Sequence, residues 1–500
     1  MIWRILATVR NRTIEKNMHC PGKVQKRVLK KILRQSQNCQ IAYDFQFDKV
    51  KNIEDFRQAM PVTDYDFYRP YIKDILRGKG NVLFPGKHIG IAQSGGTTSD
   101  PKFFPLGKNL IKSYRQFNLD MAFCYMNDSG HYDILSDRIF LVVASPNDAL
   151  PNNNIPVGRA TGVMAQIAPA LLRKRYVPNM DVILNTDIQE KIRQTTQQAF
   201  LHRKHVRMAA GLTPYLMAAF ENLMHYAQDR STEYDKVGDI FPNLKVAFHG
   251  GTTFDFYSKK IQKLAGASIA HRNVYSAAEG PIAFQFSGTS PGLLPALDGV
   301  FFEFMPVNQP INKNPDVLLL DEIKCYEPYY ILLTTQGGLF RYKIGDQVEF
   351  IQKEPPLMRV LGRSEDQIDL SGEKLGVSEA AEALMQTSNS LEKTISDFIV
   401  SPSNPEIFNT IISHEWIIEC ETPPKNTAAF RDTLDKALFA LNQRYRQLRN
   451  SDFPLGPPMI KFVSTGTFQR YMENELVYGQ QKMIHMHNDR KCTERLLSYA

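Results

Sequence analysis

The chain has 500 residues, of which 43% are hydrophobic and 22% are charged, an ordinary composition for a globular protein. That length exceeds a single ordinary core and predicts two or three domains. The net charge of +8 arises in residues 1–36, which hold ten Lys and Arg against one acid, so the remaining chain is excluded as a bulk nucleic-acid-binding surface.

The sequence contains no candidate transmembrane segment and no cysteine framework. No window reaches the roughly 18 uncharged apolar residues that a bilayer-crossing helix requires. The six cysteines are scattered and form no C-x-x-C pair, which is typical of a reducing compartment. No cleavable signal peptide is evident. We therefore expect a cytoplasmic protein.

The basic segment 1–36 has two interpretations. Its apolar residues at helical spacing favour a solvated basic helix face packed on a domain; these are Val24, Val28, Leu29, Ile32 and Leu33. The first six residues also suggest an amphipathic anchor, which leaves a weak membrane contact by the basic N-terminal segment open. No nucleic-acid partner is expected for the rest of the chain.

Along the chain, helical patterns come first, and strands then alternate with helices. Helical patterns cover 22–77, 109–125, 188–211 and 214–226, with a buried strand at 139–144. Strands at 246–248 and 267–275 flank a helix at 255–264, and further strands follow at 300–305, 317–323, 329–334, 338–342 and 347–351. This order predicts an α/β fold whose sheet leads into an antiparallel or barrel-like piece.

A proline pair divides the predicted domains. Pro355 and Pro356 mark a hinge at 354–366, between a large N-terminal domain at 1–353 and a smaller, mobile α+β domain at 367–500. In the smaller domain we expect helices at 378–386 and 426–449, and strands at 398–401 and 416–420.

A loop rich in glycine and hydroxyl side chains lies between two predicted strands. An apolar run precedes Ser94 and an aromatic run follows Lys102. Backbone N–H groups, hydroxyls and a lysine can together cradle phosphate. The spacing is not that of a Walker loop. Taken alone, the segment is explained better by a polar surface hairpin.

Two carboxylates follow predicted strands later in the chain. Glu279 closes the strand that ends near Tyr275, and Asp346 follows Gly345 at another predicted strand end. Ligands of α/β sheets bind outside the carboxyl ends of the strands. A carboxylate there can accept from ribose hydroxyls or hold Mg²⁺. For each acid alone the alternative is structural: Asp346 caps a turn, and Glu279 faces solvent.

Together, segments 94–102, 275–279 and 342–346 resemble the three nucleotide motifs of the Gretchen Hagen 3 acyl-acid amido synthetases, within the adenylate-forming superfamily. The resemblance extends over nearly the whole chain from about residue 22, including a hinge at 362–368 and a closing segment at 480–482. Three departures stand out: Ala277-Ala278 replaces Ser-Ser, the phosphate loop is one residue shorter, and Met483-Ile484-His485 replaces Val-Pro-Arg.

The resemblance implies an ATP- and Mg²⁺-dependent ligase that adenylates a carboxylic acid and transfers the acyl group to the amine of an amino acid. It implies Lys482 as the catalytic residue and Glu279 as the magnesium ligand. The implied ATP-binding residues are Ser94, Gly95, Gly96, Thr97, Thr98, Lys102, Tyr275, Ala278, Asp346 and Arg363. The expected acyl pocket comprises Thr213, Tyr215, Gly250, Gly251 and Arg115.

Two alternatives remain open. The acyl group could pass to coenzyme A and give a thioester. The chain could instead be a catalytically silent nucleotide-binding relative whose basic segment contacts a membrane or nucleic acid. For Arg115, the alternative to binding a second anionic group is a helical arginine that faces solvent.

Overall fold

The computed structural model describes residues 2–500 except 95–101, 147–154, 232, 252–253, 267, 308–314, 364–365, 372, 404–412, 451–454 and 477–482. The chain divides into two compact units. The first unit is Met1–Gly251 with Leu264–Val360, and the second unit is Thr252–Lys263 with Leu361–Ala500. Among the described residues, none of the helices combines the length and apolarity needed to cross a bilayer.

The first unit contains the helices α1 to α12. They are α1 (Ile2–His19), α2 (Pro21–Ser36), α3 (Gln40–Asp44), α4 (Ile53–Ala59), α5 (Tyr65–Leu76), α6 (Lys108–Ser129), α7 (Ala160–Gln166), α8 (Ala170–Arg173), α9 (Met180–Ile183), α10 (Ile188–Leu201), α11 (Thr213–Gln228) and α12 (Val237–Ile240), with a 3-10 helix at Phe47–Lys49.

The strands of the first unit form three sheets. They are β1 (Gly90–Ser94), β2 (Lys102–Leu106), β3 (Arg138–Val142), β4 (Val157–Arg159), β5 (Tyr176–Val177), β6 (Val206–Leu212), β7 (Val246–Gly250), β8 (Ala270–Ala277), β9 (Gly280–Phe284), β10 (Leu294–Pro295), β11 (Phe301–Pro306), β12 (Pro328–Thr334), β13 (Tyr342–Gln352) and β14 (Leu357–Arg363), the last of which continues past Val360.

The largest sheet has seven strands in the order β10-β9-β8-β7-β6-β3-β5. The neighbouring strands β5, β3, β6, β7 and β8 run parallel to one another. β9 pairs antiparallel with β8, and β10 pairs antiparallel with β9. The other sheets are β2-β1-β4 and β11-β12-β13-β14, in which β12 pairs antiparallel with β11 and β13. The predicted α/β class is confirmed, and the strand-rich piece is this antiparallel sheet.

The second unit combines helices with a small mixed sheet. Its helices are α13 (Phe254–Ala265, mostly in this unit), α14 (Val377–Ser390), α15 (Thr427–Leu441), α16 (Gln443–Arg449), α17 (Thr467–Glu475) and α18 (Lys491–Leu497). Its strands are β15 (Gln367–Ile368), β16 (Leu375–Gly376), β17 (Ile395–Pro402), β18 (His414–Cys420) and β19 (Met459–Val463). In the sheet β17-β18-β19, β18 pairs antiparallel with β17 and parallel with β19.

The basic helix α2 packs on the first unit as its pattern predicts. Its apolar stripe is buried, and its lysines and arginines are exposed. Gln25 fixes the helix to the body of the unit, because its amide donates to the carbonyl oxygens of Leu297 and Val300 at 2.6 and 2.9 Å and accepts from the Phe302 N–H at 2.7 Å. A satisfied buried amide of this kind specifies a single docking position.

Four predicted elements are wrong. The helix predicted at 188–211 ends at Leu201, and residues Val206–Leu212 form β6 between two parallel strands. Residues 317–323 and 338–342 do not form separate strands, and Leu318 makes a single bridge to Phe304. The helix predicted at 426–449 is interrupted at Asn442, whose side chain accepts from the Tyr445 N–H and starts a new helix.

Candidate functional site

The carboxyl ends of β6, β7 and β8 bring predicted substrate residues together. Leu212 is in register with Gly250, and Gly250 is in register with Val274. Thr213 and Tyr275 directly follow two members of this row. Acyl-pocket and adenine candidates that are far apart in sequence therefore share one edge of the sheet, where ligands of α/β folds bind.

The acyl side of this edge is close-packed and uncharged. The Thr213 hydroxyl donates to the Gly250 carbonyl at 3.1 Å and lies 3.1 Å from Nδ1 of His249. Burial, with a smaller effect of His271, lowers the pKa of His249 to about 3, so its imidazole is neutral at physiological pH. A Cβ on Gly250 would lie 1.8 Å from the Val274 carbonyl oxygen, so only glycine fits.

The other acyl-pocket candidates have different surroundings. Tyr215 is buried in the first turn of α11. Gly251 has a φ of +95°, a conformation that L-residues rarely adopt. Arg115 is exposed on α6, and its guanidinium donates to the Ile167 carbonyl at 3.1 Å. The role of Arg115 in binding a second anionic group stays a prediction.

Asp346 does not end a strand as predicted but lies inside β13, next to a β-bulge. Gly345 in this bulge has a φ of +94°. The pairing of β12 with β13 shifts between Tyr330–Gln347 and Leu332–Lys343, so that three residues of β13 stand opposite one residue of β12. Bulges of this kind re-aim a side chain. The local pattern of strand residues, glycine and acid cannot distinguish a bulge from a strand end.

A hydrogen bond joins the predicted adenine and ribose residues. The Tyr275 hydroxyl donates to Oδ2 of Asp346 at 2.5 Å, although the two residues are 71 positions apart and belong to different sheets. Both side chains are buried. The contact holds the tyrosine ring and the carboxylate in fixed relative positions, which is the preorganisation that a nucleotide site needs.

Glu279 lies in a tight turn between β8 and β9. Ala277 pairs with Gly280, which leaves Ala278 and Glu279 as the turn residues, and both are buried. The structure therefore excludes a solvent-facing glutamate. Tyr114 of α6 donates to the Ala277 carbonyl, and burial together with the charge of Glu279 raises the pKa of its phenol well above the usual value. Tyr114 therefore adjoins this site. The sequence did not predict this, because Tyr114 is distinguished only by its position in an apolar helix.

The candidate phosphate loop is flanked by two paired strands, as predicted. Ser94 ends β1 and pairs antiparallel with Lys102, which begins β2. The Lys102 ammonium lies 5.7 Å from the centroid of the Tyr65 ring, and the Tyr65 hydroxyl accepts from the Phe103 N–H at 2.8 Å. The candidates Gly95, Gly96, Thr97 and Thr98 lie outside the described residues.

An ion-paired cluster anchors the start of β13. Both Nε–H groups of Arg57 and Arg341 donate to Glu303, each at 3.0 Å. Arg341 also donates to the Met60 carbonyl at 2.8 Å. Glu303 and Arg341 are almost fully buried, so the cluster compensates its charges internally. Arg341 directly precedes the strand that carries Asp346, and the cluster is a structural element.

The last two candidates belong to the second unit. Arg363 ends β14 and is exposed, and Lys482 lies outside the described residues. Near Lys482 in sequence, His485 is buried and its Nε2 lies 2.9 Å from Oδ1 of Asp397, which also accepts from the Tyr257 hydroxyl at 3.0 Å. The residue that departs from the family pattern at this position thus belongs to a buried polar cluster.

Glu279 is compatible with a magnesium site in which the phosphates of the substrate supply the other ligands. Mg²⁺ is usually held by one or two protein carboxylates together with substrate phosphates. Across the part of the chain that the structure describes, no three His, Cys, Asp or Glu residues come close enough to form a metal cluster of their own. A single buried glutamate beside the sheet edge fits this donor set.

Three models of one family match the chain. The GH3 family N-terminal domain matches residues 10–230, the central domain matches residues 293–363, and the C-terminal domain matches residues 378–491. The matched regions cover most of both units and include Asp346, Arg363 and Lys482.

Relatives named as amido synthetases align with the chain, some over nearly its whole length and others over about a third of it. The jasmonoyl–L-amino acid synthetase JAR4 of Nicotiana attenuata is 23% identical over 92% of this chain and 89% of its own. The indole-3-acetic acid-amido synthetase GH3.3 of Arabidopsis thaliana is 26% identical over 36% of this chain and 31% of its own. The solved structure of the AtGH3.15 acyl acid amido synthetase in complex with 2,4-DB has the same fold, with a TM-score of 0.79, 15% identity, and coverage of 97% of this chain and 95% of that chain.

Proposed function

The chain belongs to the GH3 family, and we propose on this basis that it is an ATP-dependent acyl-acid amido synthetase. It activates a carboxylic acid as an acyl-adenylate and joins the acyl group to the amine of an amino acid. Relatives named as jasmonoyl–L-amino acid synthetases, which align along 92% of the chain, support this proposal.

The observation that carries the proposal is the arrangement at the end of the seven-stranded sheet. We assign the Tyr275–Asp346 hydrogen bond and the buried Glu279 to a nucleotide side, and the neutral Thr213–His249 contact to an acyl side. Adenylation requires ATP and a carboxylate to meet at one point. A sheet edge with an anionic, preorganised nucleotide side beside an uncharged side provides such a point.

In the first half-reaction, a carboxylate oxygen attacks the α-phosphorus, the bond from that phosphorus to the bridging oxygen breaks, and pyrophosphate leaves. Two anions approach each other, so catalysis consists mainly of positioning and charge neutralisation. We assign Ser94, Thr97, Thr98 and Lys102 to the β- and γ-phosphates, with the Gly95 and Gly96 N–H groups. Tyr275 packs on the adenine, Asp346 accepts from the ribose hydroxyls, and Arg363 contacts the ribose or α-phosphate.

Glu279 is the residue proposed to hold Mg²⁺, which neutralises phosphate charge when bound. Lys482 is proposed to stabilise the charge that develops on the carboxyl and α-phosphoryl oxygens. In the second half-reaction, the amine attacks the acyl carbon and AMP leaves. A hinge at 354–366 is proposed to move residues 367–500 between the two half-reactions, a motion that commonly limits turnover.

The proposed compartment is the cytoplasm. All six cysteines are free thiols, and three of them are buried. Free, buried thiols are typical of proteins that work in a reducing environment.

A substrate panel tests the proposal. The protein is incubated with ATP, Mg²⁺ and aliphatic or aromatic carboxylic acids, and pyrophosphate release is measured with amino acids, with coenzyme A or with neither. We expect acid-dependent pyrophosphate release and a product with the mass of an amide. A thioester mass would identify an acyl-CoA ligase instead. Failure of every acid in a broad panel would indicate a catalytically silent relative.

The Lys482→Ala variant tests the assignment of the catalytic residue. Loss of one preorganised charge-stabilising donor lowers the rate by about 10²- to 10³-fold. We therefore expect acid-dependent ATP–pyrophosphate exchange to fall by that factor while ATP binding, measured by calorimetry, persists. Near-normal exchange would contradict the assignment of Lys482.

A further inference from the structure

We propose that the outer face of α1, with the basic residues beside it, is a docking surface for membranes that contain anionic lipids. The surface lies outside the proposed active site, and the inference is independent of the proposed function. With this surface, the folded protein binds the bilayer as a peripheral membrane protein.

A stripe of large apolar side chains runs along the outside of α1. Ile2, Ile5, Leu6 and Val9 follow at helical spacing and are 68%, 56%, 45% and 60% exposed. Single exposed apolar residues are common on protein surfaces, but a contiguous apolar patch marks an interaction site. A helix that presents such a stripe beside a charged face has the pattern of an interfacial membrane helix.

The stripe continues into an open groove between α1 and α6. Apolar and aromatic side chains line most of this groove, which encloses about 450 Å³; they are Trp3, Leu6, Val9, Leu119 and Phe123. The rings of Trp3 and Phe123 lie 6.4 Å apart, and Leu119 is exposed at the rim. Aromatic side chains with one wet edge favour the headgroup region of a bilayer.

The opposite side of α1 is fixed to the first unit. Ala7, Ile14 and Met18 are buried in the apolar core. Arg10 forms ion pairs with Asp120 and Asp298, each at 2.7 Å. The helix is therefore folded and anchored before any docking takes place. Its apolar stripe is presented by a rigid element, so docking does not have to offset the entropy of folding a helix.

Basic residues are exposed further along α1 and on the neighbouring helix α2. Arg12 and Lys16 are exposed on α1, and the exposed side of α2 carries Lys23, Lys26, Arg27, Lys30, Lys31 and Arg34. A second groove shares Arg10 and Gln116 with the apolar one and is lined in addition by Lys31 and Lys112, so the basic and apolar surfaces adjoin. Clusters of this size near an apolar helix are attracted to anionic leaflets.

The combination of an apolar stripe with exposed basic residues favours a bilayer over other partners. A nucleic acid would use the basic residues but would leave the apolar stripe in water. A second copy of the chain could cover the stripe, yet it would bring two strongly basic surfaces together. An anionic bilayer satisfies both surfaces at once, because its headgroups neutralise the charge and its acyl boundary accepts the apolar side chains.

Vesicle co-sedimentation of the full-length protein tests the proposal. Phosphatidylcholine vesicles with and without phosphatidylserine are compared at low and high salt. We expect binding that requires phosphatidylserine and weakens with salt. The double variant Ile5→Gln/Leu6→Gln should bind at least about tenfold more weakly, because two apolar side chains no longer enter the bilayer. Lys23→Gln/Lys26→Gln/Lys30→Gln should lose about two orders of magnitude, at about fivefold per charge.

Matched substitutions elsewhere separate docking from folding. Leu201→Gln changes an exposed leucine of α10, and Lys204→Gln changes an exposed lysine that follows it. Both controls should bind vesicles like the parent chain, and all variants should keep the parent's circular dichroism. Unchanged vesicle binding by Ile5→Gln/Leu6→Gln would overturn the proposal. So would salt-sensitive binding to duplex DNA at least as tight as to the vesicles, or a dimer that dissociates on the same substitution.

Discussion

Two neighbourhoods of the first unit bury carboxylates in different ways. Glu303 lies between the guanidinium groups of Arg57 and Arg341, each at 3.0 Å, and its charge is fully compensated. Asp346 accepts from the Tyr275 hydroxyl instead, and burial together with the charge of Glu279 raises the pKa of Tyr114. The first neighbourhood pairs its carboxylate with two cations, whereas in the second a tyrosine hydroxyl donates to Asp346 and another tyrosine lies near Glu279.

The difference separates a structural acid, Glu303, from the candidate functional acids Asp346 and Glu279. Arg341, which anchors β13, and Asp346, which follows the bulge, are five residues apart. Breaking a buried ion pair is costly, whereas buried acids at the edge of an α/β sheet are candidates for binding a cation or a ligand. Substitutions in the closed cluster should therefore change stability, and substitutions beside the sheet edge should change catalysis.

The largest expected effect follows substitution of Glu279. Glu279→Gln keeps the shape of the side chain but removes the negative charge that is proposed to bind magnesium. Acid-dependent ATP–pyrophosphate exchange should fall by about 10²- to 10³-fold at saturating ATP. Denaturant unfolding should be almost unchanged, because a buried charge is removed and a similar volume is kept. An exchange rate within tenfold of the parent at all magnesium concentrations would contradict the assignment of Glu279 as a functional acid.

The second effect is on stability. Glu303→Gln leaves two guanidinium groups without their compensating charge, and the first unit should lose about 3 kcal/mol of stability. Glu54→Gln is the matched control, since Glu54 contacts the same Arg57 at 3.7 Å but is exposed, and its loss should cost at most about 1 kcal/mol. Chemical denaturation measures both. A loss of exchange activity in folded Glu303→Gln protein as large as in Glu279→Gln would contradict the distinction.

A third, smaller effect concerns ATP affinity. Asp346→Asn keeps an acceptor for the Tyr275 hydroxyl but loses the charge proposed to bind ribose, so the KM for ATP should rise about tenfold. Tyr275→Phe keeps the ring and removes only the hydroxyl, and should raise that KM by about fivefold or less. Initial-rate kinetics would measure both values. An unchanged KM in Asp346→Asn would place the ribose site elsewhere.

The last effect is small near neutral pH and grows only in acid, and it tests the Thr213–His249 side of the sheet edge. The pKa of His249 is about 3 in the folded chain and about 6.5 when unfolded, so the unfolded state binds more protons between these values. Stability should therefore fall as the pH drops below about 6.5, at up to about 1.4 kcal/mol per pH unit for this group. His249→Gln should flatten the profile, whereas His131→Gln, at an exposed position, should leave it unchanged. Equal slopes would contradict a neutral His249.

The local features of the site were largely predictable, but its contacts were not. The strands that flank the 94–102 loop, the turn after β8 that holds Glu279, and the glycines that end β7 all follow from local residue patterns. Asp346 was predicted at a strand end, because a bulge becomes visible only through pairing with β12. Tyr114 was missed because a buried tyrosine in a helix has the same pattern whether it supports the core or the site.

The α/β class could be predicted from the sequence alone, because it depends on the periodicity and order of local patterns, and the resemblance of three short segments to GH3 motifs pointed to the family. The hydrogen bond of Tyr275 to Asp346, and the register that aligns Leu212 with Gly250 and Val274, are visible only in the tertiary structure. It also decided that α13 belongs mostly to the second unit. These features could not be predicted because strand order, register and bulges are set by the packing of segments that are distant in sequence.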